Sequence, residues 1–239
     1  MKNLFKHKIN RLINSLPIEK HSYDPDPRWN KCKILFQAMD PIHGWAREAT
    51  FLLWLDSDLI ILDFNMRIEM IAEQYPQSDM ILSKDMPKAA FVANSGFILL
   101  RNTDWARTFM ERWWSSYDRR KCCDQNAFTW LYDQMADTEK GKIAILPPDA
   151  VNSDFPSWMH QKEYNQVLHL AGTTNLLRQP VFKEAFTSIC ETLKHQGYNS
   201  GNENPPSFLS HLPSQLGKYQ LENITQLKNG SHIAIVPQV

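Results

Sequence analysis

Asp56-Ser57-Asp58 is the triplet of this chain whose residue types and spacing best suit chemistry. It closes Phe51-Leu52-Leu53-Trp54-Leu55, a short, continuous apolar run that reads as a fully buried strand of a mainly parallel sheet. Side chains alternate along an extended strand, so Asp56 and Asp58 point the same way with the small Ser57 between them. Ligands of open α/β sheets bind beyond the carboxyl ends of the strands. Two carboxylates placed there repel each other unless a cation or a raised pKa intervenes. A hard divalent ion relieves that repulsion and leaves coordination positions open for a diphosphate. Held by Asp56 and Asp58, it stabilises the negative charge that develops when a bond to a diphosphate breaks. The plainer alternative is that Asp-x-Asp ends the strand in a turn.

The elements that must position this triplet follow from hydrophobic patterning. Residues 31–40, 65–75, 104–117, 124–135 and 180–195 read as helices. The clearest is 104–117, where Trp105, Phe109, Trp113 and Tyr117 fall four apart on one face. Strands are expected at 80–82, 96–100, 142–146 and 166–170, the third stopped by Pro147-Pro148 and the fourth near Gly172. Strands alternating with helices give an α/β class: a Rossmann-like, mixed, mainly parallel sheet flanked by helices. Residues 1–20 read as a basic amphipathic N-terminal helix ahead of a proline-rich loop. Residues 21–197 are expected to form the α/β domain, and 198–239 a polar, loosely ordered tail with a short strand at 233–236. Trp29, Trp54 and the Trp113-Trp114 pair are read as core.

Bulk properties exclude several classes. The 26 basic and 26 acidic residues cancel, so global attraction to nucleic acid or to an anionic membrane is not expected. The four cysteines, Cys32, Cys122, Cys123 and Cys190, contain no C-x-x-C pair, which argues against a zinc cluster. No apolar run reaches transmembrane length. Asn223-Ile224-Thr225 and Asn229-Gly230-Ser231 are N-glycosylation triplets. They favour, weakly, a Golgi or other secretory-pathway lumen.

Trp29-x-Lys31, the run from Phe51 to Asp58, Asn94-Ser95-Gly96-Phe97, Asp124-Gln125 and His169-x-x-Gly172 occur in one order. That order resembles the galactosyl/mannosyl/xylosyl transferases of GT-A fold, over roughly residues 20–195. The resemblance implies a retaining glycosyltransferase that uses Mn²⁺ (or Mg²⁺). It takes a hexose or pentose from a UDP- or GDP-sugar donor to a glycan or glycoprotein acceptor, and its partners extend to a complex with related transferases.

By the same resemblance Asp56 and Asp58 are metal ligands, and His169 is a further one. Imidazole suits Mn²⁺ better than Ca²⁺, and the alternative is a core histidine at a strand end. Asn94, Ser95 and Gly96 correspond to a sugar contact: Gly lets backbone approach a ligand, and the other two offer short polar groups. A simple turn is the alternative. Asp124 and Gln125 fall beside the anomeric carbon, the carboxylate stabilising an oxocarbenium-like centre and the amide holding a sugar hydroxyl. An N-terminal helix cap explains Asp124 equally. Lys31 corresponds to a lysine beside the donor diphosphate, or is simply solvated. Gly172 belongs to the substrate set, as does Asp56, and Arg28, Lys84 and Asp85 are further donor-contact candidates.

Members of that family have a longer stretch before Asp-x-Asp, beginning with a strand that helps to hold the nucleoside, and a membrane anchor. The 55 residues before Asp56 contain no convincing apolar first strand, so a shortened nucleoside pocket is expected. That departure keeps a second hypothesis in view, a non-catalytic carbohydrate-binding or assembly subunit. A metal-dependent phosphoester hydrolase ranks last, because no further acidic or histidine ligand sits close to the first pair in sequence.

Overall fold

Phe51–Leu55 forms β1, and its alternation divides the core in two. Leu52 and Trp54 face one side of the sheet, with Met80, Leu82, Ile98 and Leu100 of the neighbouring strands. Phe51 and Leu53 face the other, with Ile81, Phe97 and Leu99. Both faces of β1 are therefore dry, which is why its sequence is a continuous apolar run rather than an alternating one. The computed structural model describes residues 27–62, 66–85, 90–117, 123–153, 167–172, 178, 181–183, 185, 187, 190, 224–226 and 232–236. The amphipathic helix expected over 1–20, Cys122, Asn223 and Asn229 of the two glycosylation triplets and most of the 198–239 stretch lie outside those residues.

The main sheet adds β3 (Met80–Ser83), β4 (Asn94–Arg101), β5 (Ile143–Leu146), β7 (Ile224–Gln226) and β8 (His232–Val236), in the order β5-β3-β4-β1-β8-β7. It is mixed: β3/β5 and β1/β8 run parallel, while β4 is antiparallel to both β1 and β3, as is β7 to β8. β1 thus finds its parallel neighbour in the C-terminal stretch, with Phe51 opposite Ile233 and Trp54 opposite Val236. A small second sheet pairs β2 (Leu59–Ile61) with β6 (Val167–His169). No helix among the described residues is long and apolar enough to cross a membrane. Cys32, Cys123 and Cys190 form no disulfide.

Helices cover both faces. On the Leu52–Trp54 side lie α1 (Asn30–Ala38), α3 (Asp104–Ser115) and α4 (Asp124–Asp133). Thr103 caps α3, its side chain accepting from Ala106 N at 3.2 Å. The aromatic stripe of α3 then packs inward: Trp113 lies 5.0 Å from the Phe128 ring of α4, and Phe109 lies 6.0 Å from it. Burying each such ring contributes about 1.5–3 kcal/mol, which fixes α4, and with it Asp124, relative to the sheet. On the other face α2 (Ile68–Gln74) contributes Ala72, and α6 (Pro148–Val151) contributes Val151; the short α5 (Asp137–Lys140) leads into β5. Trp29, Trp54, Trp113 and Trp114 are all buried, as expected.

Some local features differ from the sequence expectation. β4 begins at Asn94, so Asn94 and Ser95 are strand residues and not an entry turn. β2 and β7 were not anticipated. The described residues among 178–190 are helical, consistent with the expected helix over 180–195, whose last residues lie outside the described set.

Candidate functional site

Antiparallel pairing brings the start of β4 to the end of β1. Leu55 pairs with Phe97, and the Asp56 N–H donates to Gly96 O at 2.7 Å. Asn94, Ser95 and Gly96 therefore run alongside Asp56-Ser57-Asp58. The chain turns at Asp56, whose carbonyl accepts from Leu59 N, and enters β2. Leu59 then pairs with His169, and Leu170 N donates to Asp58 O at 2.9 Å. Hence two aspartates and a histidine far apart in sequence meet: one carboxylate oxygen each of Asp56 and Asp58 and one ring nitrogen of His169 lie within 4.8 Å of one another.

These residues line a cavity of about 460 Å³, together with Arg28, Lys31, Trp54, Asn94, Ser95, Asp124, Gln125, Gly172 and Arg178. A cavity of this size suits a substrate rather than a lone ion. The donor set, two carboxylates and an imidazole, could hold a divalent cation and leave positions for ligand oxygens. Each carboxylate of the pair is balanced by a cation of the chain itself. Asp56 meets Lys31 Nζ at 3.0 Å, and Asp58 meets Arg178 Nη2 at 3.0 Å. Trp54 Nε1 also donates to Asp56 Oδ1, at 2.7 Å. Burial would raise the Asp58 pKa, but the His169 hydrogen bond, the His169 charge and Arg178 outweigh it and hold the carboxyl below its ordinary value.

His169 is 3% exposed and held at both nitrogens. Nδ1 lies 2.6 Å from Asn152 Oδ1, and Nε2 lies 3.2 Å from Asp58 Oδ1. Asn152 is fixed in turn by donating Nδ2 to Lys84 O at 3.3 Å. Since Nδ2 is committed to a carbonyl, Oδ1 faces the ring and accepts from Nδ1–H. Nε2 is the nitrogen on the carboxylate side, within hydrogen-bond reach of Asp58 Oδ1.

Lys31 is 3% exposed and is neither solvated nor directed outward. Its ammonium contacts Asp56, Asp124 Oδ2 at 3.1 Å, Ser95 O at 3.1 Å and Ser95 Oγ at 3.0 Å. Burial alone would lower its pKa; the charges of Asp124 and Asp56, with their hydrogen bonds, reverse this and raise it above the ordinary lysine value. Asp124 is the first residue of α4, and Cys123 occupies the cap position without a side-chain cap bond. The capping explanation of Asp124 therefore fails. Its Oδ2 instead takes the Ser95 hydroxyl at 2.5 Å as well as Lys31.

The other candidates separate into two groups. Asn94, Ser95, Gln125, Gly172 and Arg28 line the cavity, Arg28 being exposed. Gly96, Lys84 and Asp85 do not line it. Gly96 packs against His169, and a Cβ there would lie 2.2 Å from His169 Cε1. Lys84 serves through its carbonyl, the anchor for Asn152. Asp85 is buried and accepts from Asn94 Nδ2 at 3.0 Å and, at 3.5 Å, from Gln125 Nε2. Sequence reasoning missed Asn152 and Arg178. Asn152 carries no motif, and only its parallel bridge neighbour Ser153, opposite Leu168, brings it to His169.

A model of the protein family described as nucleotide-diphospho-sugar transferase matches residues 50–177, just over half of the 239 residues. The matched region holds Asp56, Asp58, Asp124 and His169. Among solved structures, a glycosyltransferase involved in glycosylation of the major capsid of PBCV-1 is similar at 17% identity with a TM-score of 0.53, over 71% of this chain and 81% of that one. That likeness concerns the fold. The glycosyltransferase GlyE of Streptococcus pneumoniae TIGR4 is similar at 14% identity with a TM-score of 0.41, over 65% of this chain and 46% of that one. No curated protein matches the chain in sequence. The α/β fold, the cavity at the end of β1 and the matched stretch agree: the chain belongs to the nucleotide-diphospho-sugar transferase family.

Proposed function

We propose that this chain is a metal-dependent glycosyltransferase that moves a hexose or pentose from a UDP- or GDP-sugar to a glycan or glycoprotein acceptor, with retention of configuration, as in the galactosyl/mannosyl/xylosyl branch. The observation that carries this reading is the convergence of Asp56, Asp58 and His169 in the cavity at the carboxyl end of β1. Asp56, Asp58 and His169 would hold a divalent ion there, which would supply neutralisation of the charge on the departing nucleoside diphosphate.

The chain's own residues supply the rest. Asp124 lines the cavity with Oδ2 taken by the Ser95 hydroxyl and Lys31, so the carboxylate is fixed before substrate arrives. A fixed negative charge stabilises an oxocarbenium-like centre without reorganisation. Gln125 has its amide nitrogen turned to Asp85 and to Ala93 O, both at 3.5 Å, which leaves its amide oxygen to accept from a sugar hydroxyl.

The test is a panel of UDP- and GDP-sugars assayed with and without Mn²⁺. Release of nucleoside diphosphate from one donor, dependent on Mn²⁺ and lost in Asp56→Ala and Asp58→Ala, is expected. Folded protein that turns over none of them at saturating Mn²⁺ sinks the proposal. Glycan binding that survives both substitutions supports the non-catalytic alternative instead.

A further inference from the structure

The two cations on the Asp56/Asp58 pair are held very differently. Lys31 has its ammonium surrounded by two carboxylates and both oxygens of Ser95, and its side chain is 3% exposed. It has nowhere better to go. Arg178 meets a single carboxylate oxygen, Asp58 Oδ2, and its side chain is 35% exposed toward the cavity it lines. Its Nε is buried with no acceptor among the described residues. A guanidinium presents five donors in a planar fork suited to two oxygens at once, so this resting position leaves it under-used.

We propose that Arg178 is an exchangeable latch: it neutralises Asp58 while the site is free of metal, is released when a divalent cation takes that carboxylate, and then binds the diphosphate of the donor. The inference rests on the function proposed above and goes beyond it by coupling the two ligands through one residue. Arg178 and a divalent cation compete for the charge of Asp58, so each weakens the other's hold. A diphosphate entering the cavity offers the guanidinium paired oxygens that Asp58 does not. Metal binding therefore prepares the diphosphate site, and by linkage diphosphate tightens metal binding by the same factor. Lys31 stays in place and keeps Asp124 and Asp56 oriented throughout.

The experiment is calorimetric titration of the full chain with Mn²⁺, with inorganic pyrophosphate and with UDP or GDP. Each is measured alone and with the other ligand saturating, after subtraction of the metal–phosphate equilibrium in solution. In wild type, Mn²⁺ and pyrophosphate each tighten the other by about tenfold or more. Arg178→Met moves the two affinities in opposite directions. Mn²⁺ alone binds more tightly because its competitor is gone, while pyrophosphate in the presence of Mn²⁺ binds about tenfold or more weakly, and the coupling falls toward one. Arg178→Lys, which keeps the charge without the fork, gives the same directions with smaller changes and serves if the methionine variant does not fold. Weaker Mn²⁺ binding in the variant, or unchanged pyrophosphate affinity, overturns the latch, since a residue that merely supports Asp58 behaves that way. If pyrophosphate couples to Mn²⁺ through Arg178 but neither UDP nor GDP binds, the latch stands and the nucleotide-sugar reading fails.

Discussion

His169 Nδ1 and Asn152 Oδ1 lie 2.6 Å apart, and this contact decides which nitrogen of the imidazole faces the carboxylate pair. The Asn152 amide cannot flip without losing its bond to Lys84 O. A three-part chain from a β3-end carbonyl through Asn152 to His169 therefore fixes the ring with Nε2 toward the carboxylate pair, the orientation that the proposed metal site needs. Partners of this kind orient metal ligands and are commonly worth 10–100-fold in affinity.

Asn152→Ala is accordingly expected to weaken Mn²⁺ binding about 10–100-fold, read by electron paramagnetic resonance of the free ion. Asn152→Asp still offers an acceptor to Nδ1–H and retains most of the affinity. Imidazole ¹⁵N shifts in the metal-free protein separate the tautomers directly: wild type shows Nδ1 protonated, and the alanine variant a mixture. An alanine variant with wild-type shifts and wild-type affinity refutes the preset tautomer.

Gly96 matters for space, not for backbone freedom. An added Cβ would lie 2.2 Å from His169 Cε1 and 2.9 Å from Asn94 Oδ1, and the ring cannot step aside because Asn152 and Asp58 hold it. Gly96→Ala should destabilise the protein by about 1–3 kcal/mol through overpacking and weaken Mn²⁺ binding as well. In the His169→Ala background the same substitution should cost less, because the nearer clash partner is gone and only Asn94 Oδ1 remains. Equal costs in both backgrounds, measured by urea unfolding, would argue against this packing relation.

How much of this was legible beforehand follows from range. β1 and its terminal aspartates were visible because a strand buried on both faces writes a continuous apolar run. The aromatic stripe of α3 was visible because helical period survives in sequence. Lys31 stood out as a candidate, but its burial did not, since its acceptors Asp56, Ser95 and Asp124 lie on other elements. β2 is three residues long and leaves no period to read, and the Asp58–His169 contact spans 111 positions. Gly96 was read as room for a ligand, and the neighbour that needs the room is His169. Arg178 sits on a helix whose placement no local pattern encodes.

Lys31 makes a pH prediction. Its pKa is raised on folding, so it stabilises the protein fully below the ordinary lysine value of 10.5 and loses that contribution as pH rises through the folded value. Lys31→Met strands Asp56 and the buried Asp124, and loss of one partner of a buried pair costs about 3–5 kcal/mol. The stability difference between wild type and variant, from urea unfolding without metal, should stay constant from neutral pH to about 10 and shrink above it. Mn²⁺ should narrow it at neutral pH by neutralising Asp56. A difference that grows with alkaline pH contradicts the assignment of Lys31 as the charge that compensates this cluster.

Asp124 separates binding from turnover. Asp124→Asn keeps an oxygen for the Ser95 hydroxyl and a similar volume, so α4 should hold its place against Phe109 and Trp113. What disappears is the negative charge that balances Lys31 and that the proposed function sets beside the reacting carbon. Loss of a preorganised charge in a dry site typically costs about 10²–10³ in kcat. Donor affinity should change far less, because the proposed contacts to diphosphate and metal fall on other residues. A variant that loses donor binding and kcat together, or that turns over at the wild-type rate, removes Asp124 from the place beside the anomeric carbon. A large fall in kcat with nearly constant donor affinity, in protein whose unfolding midpoint has moved little, keeps it there.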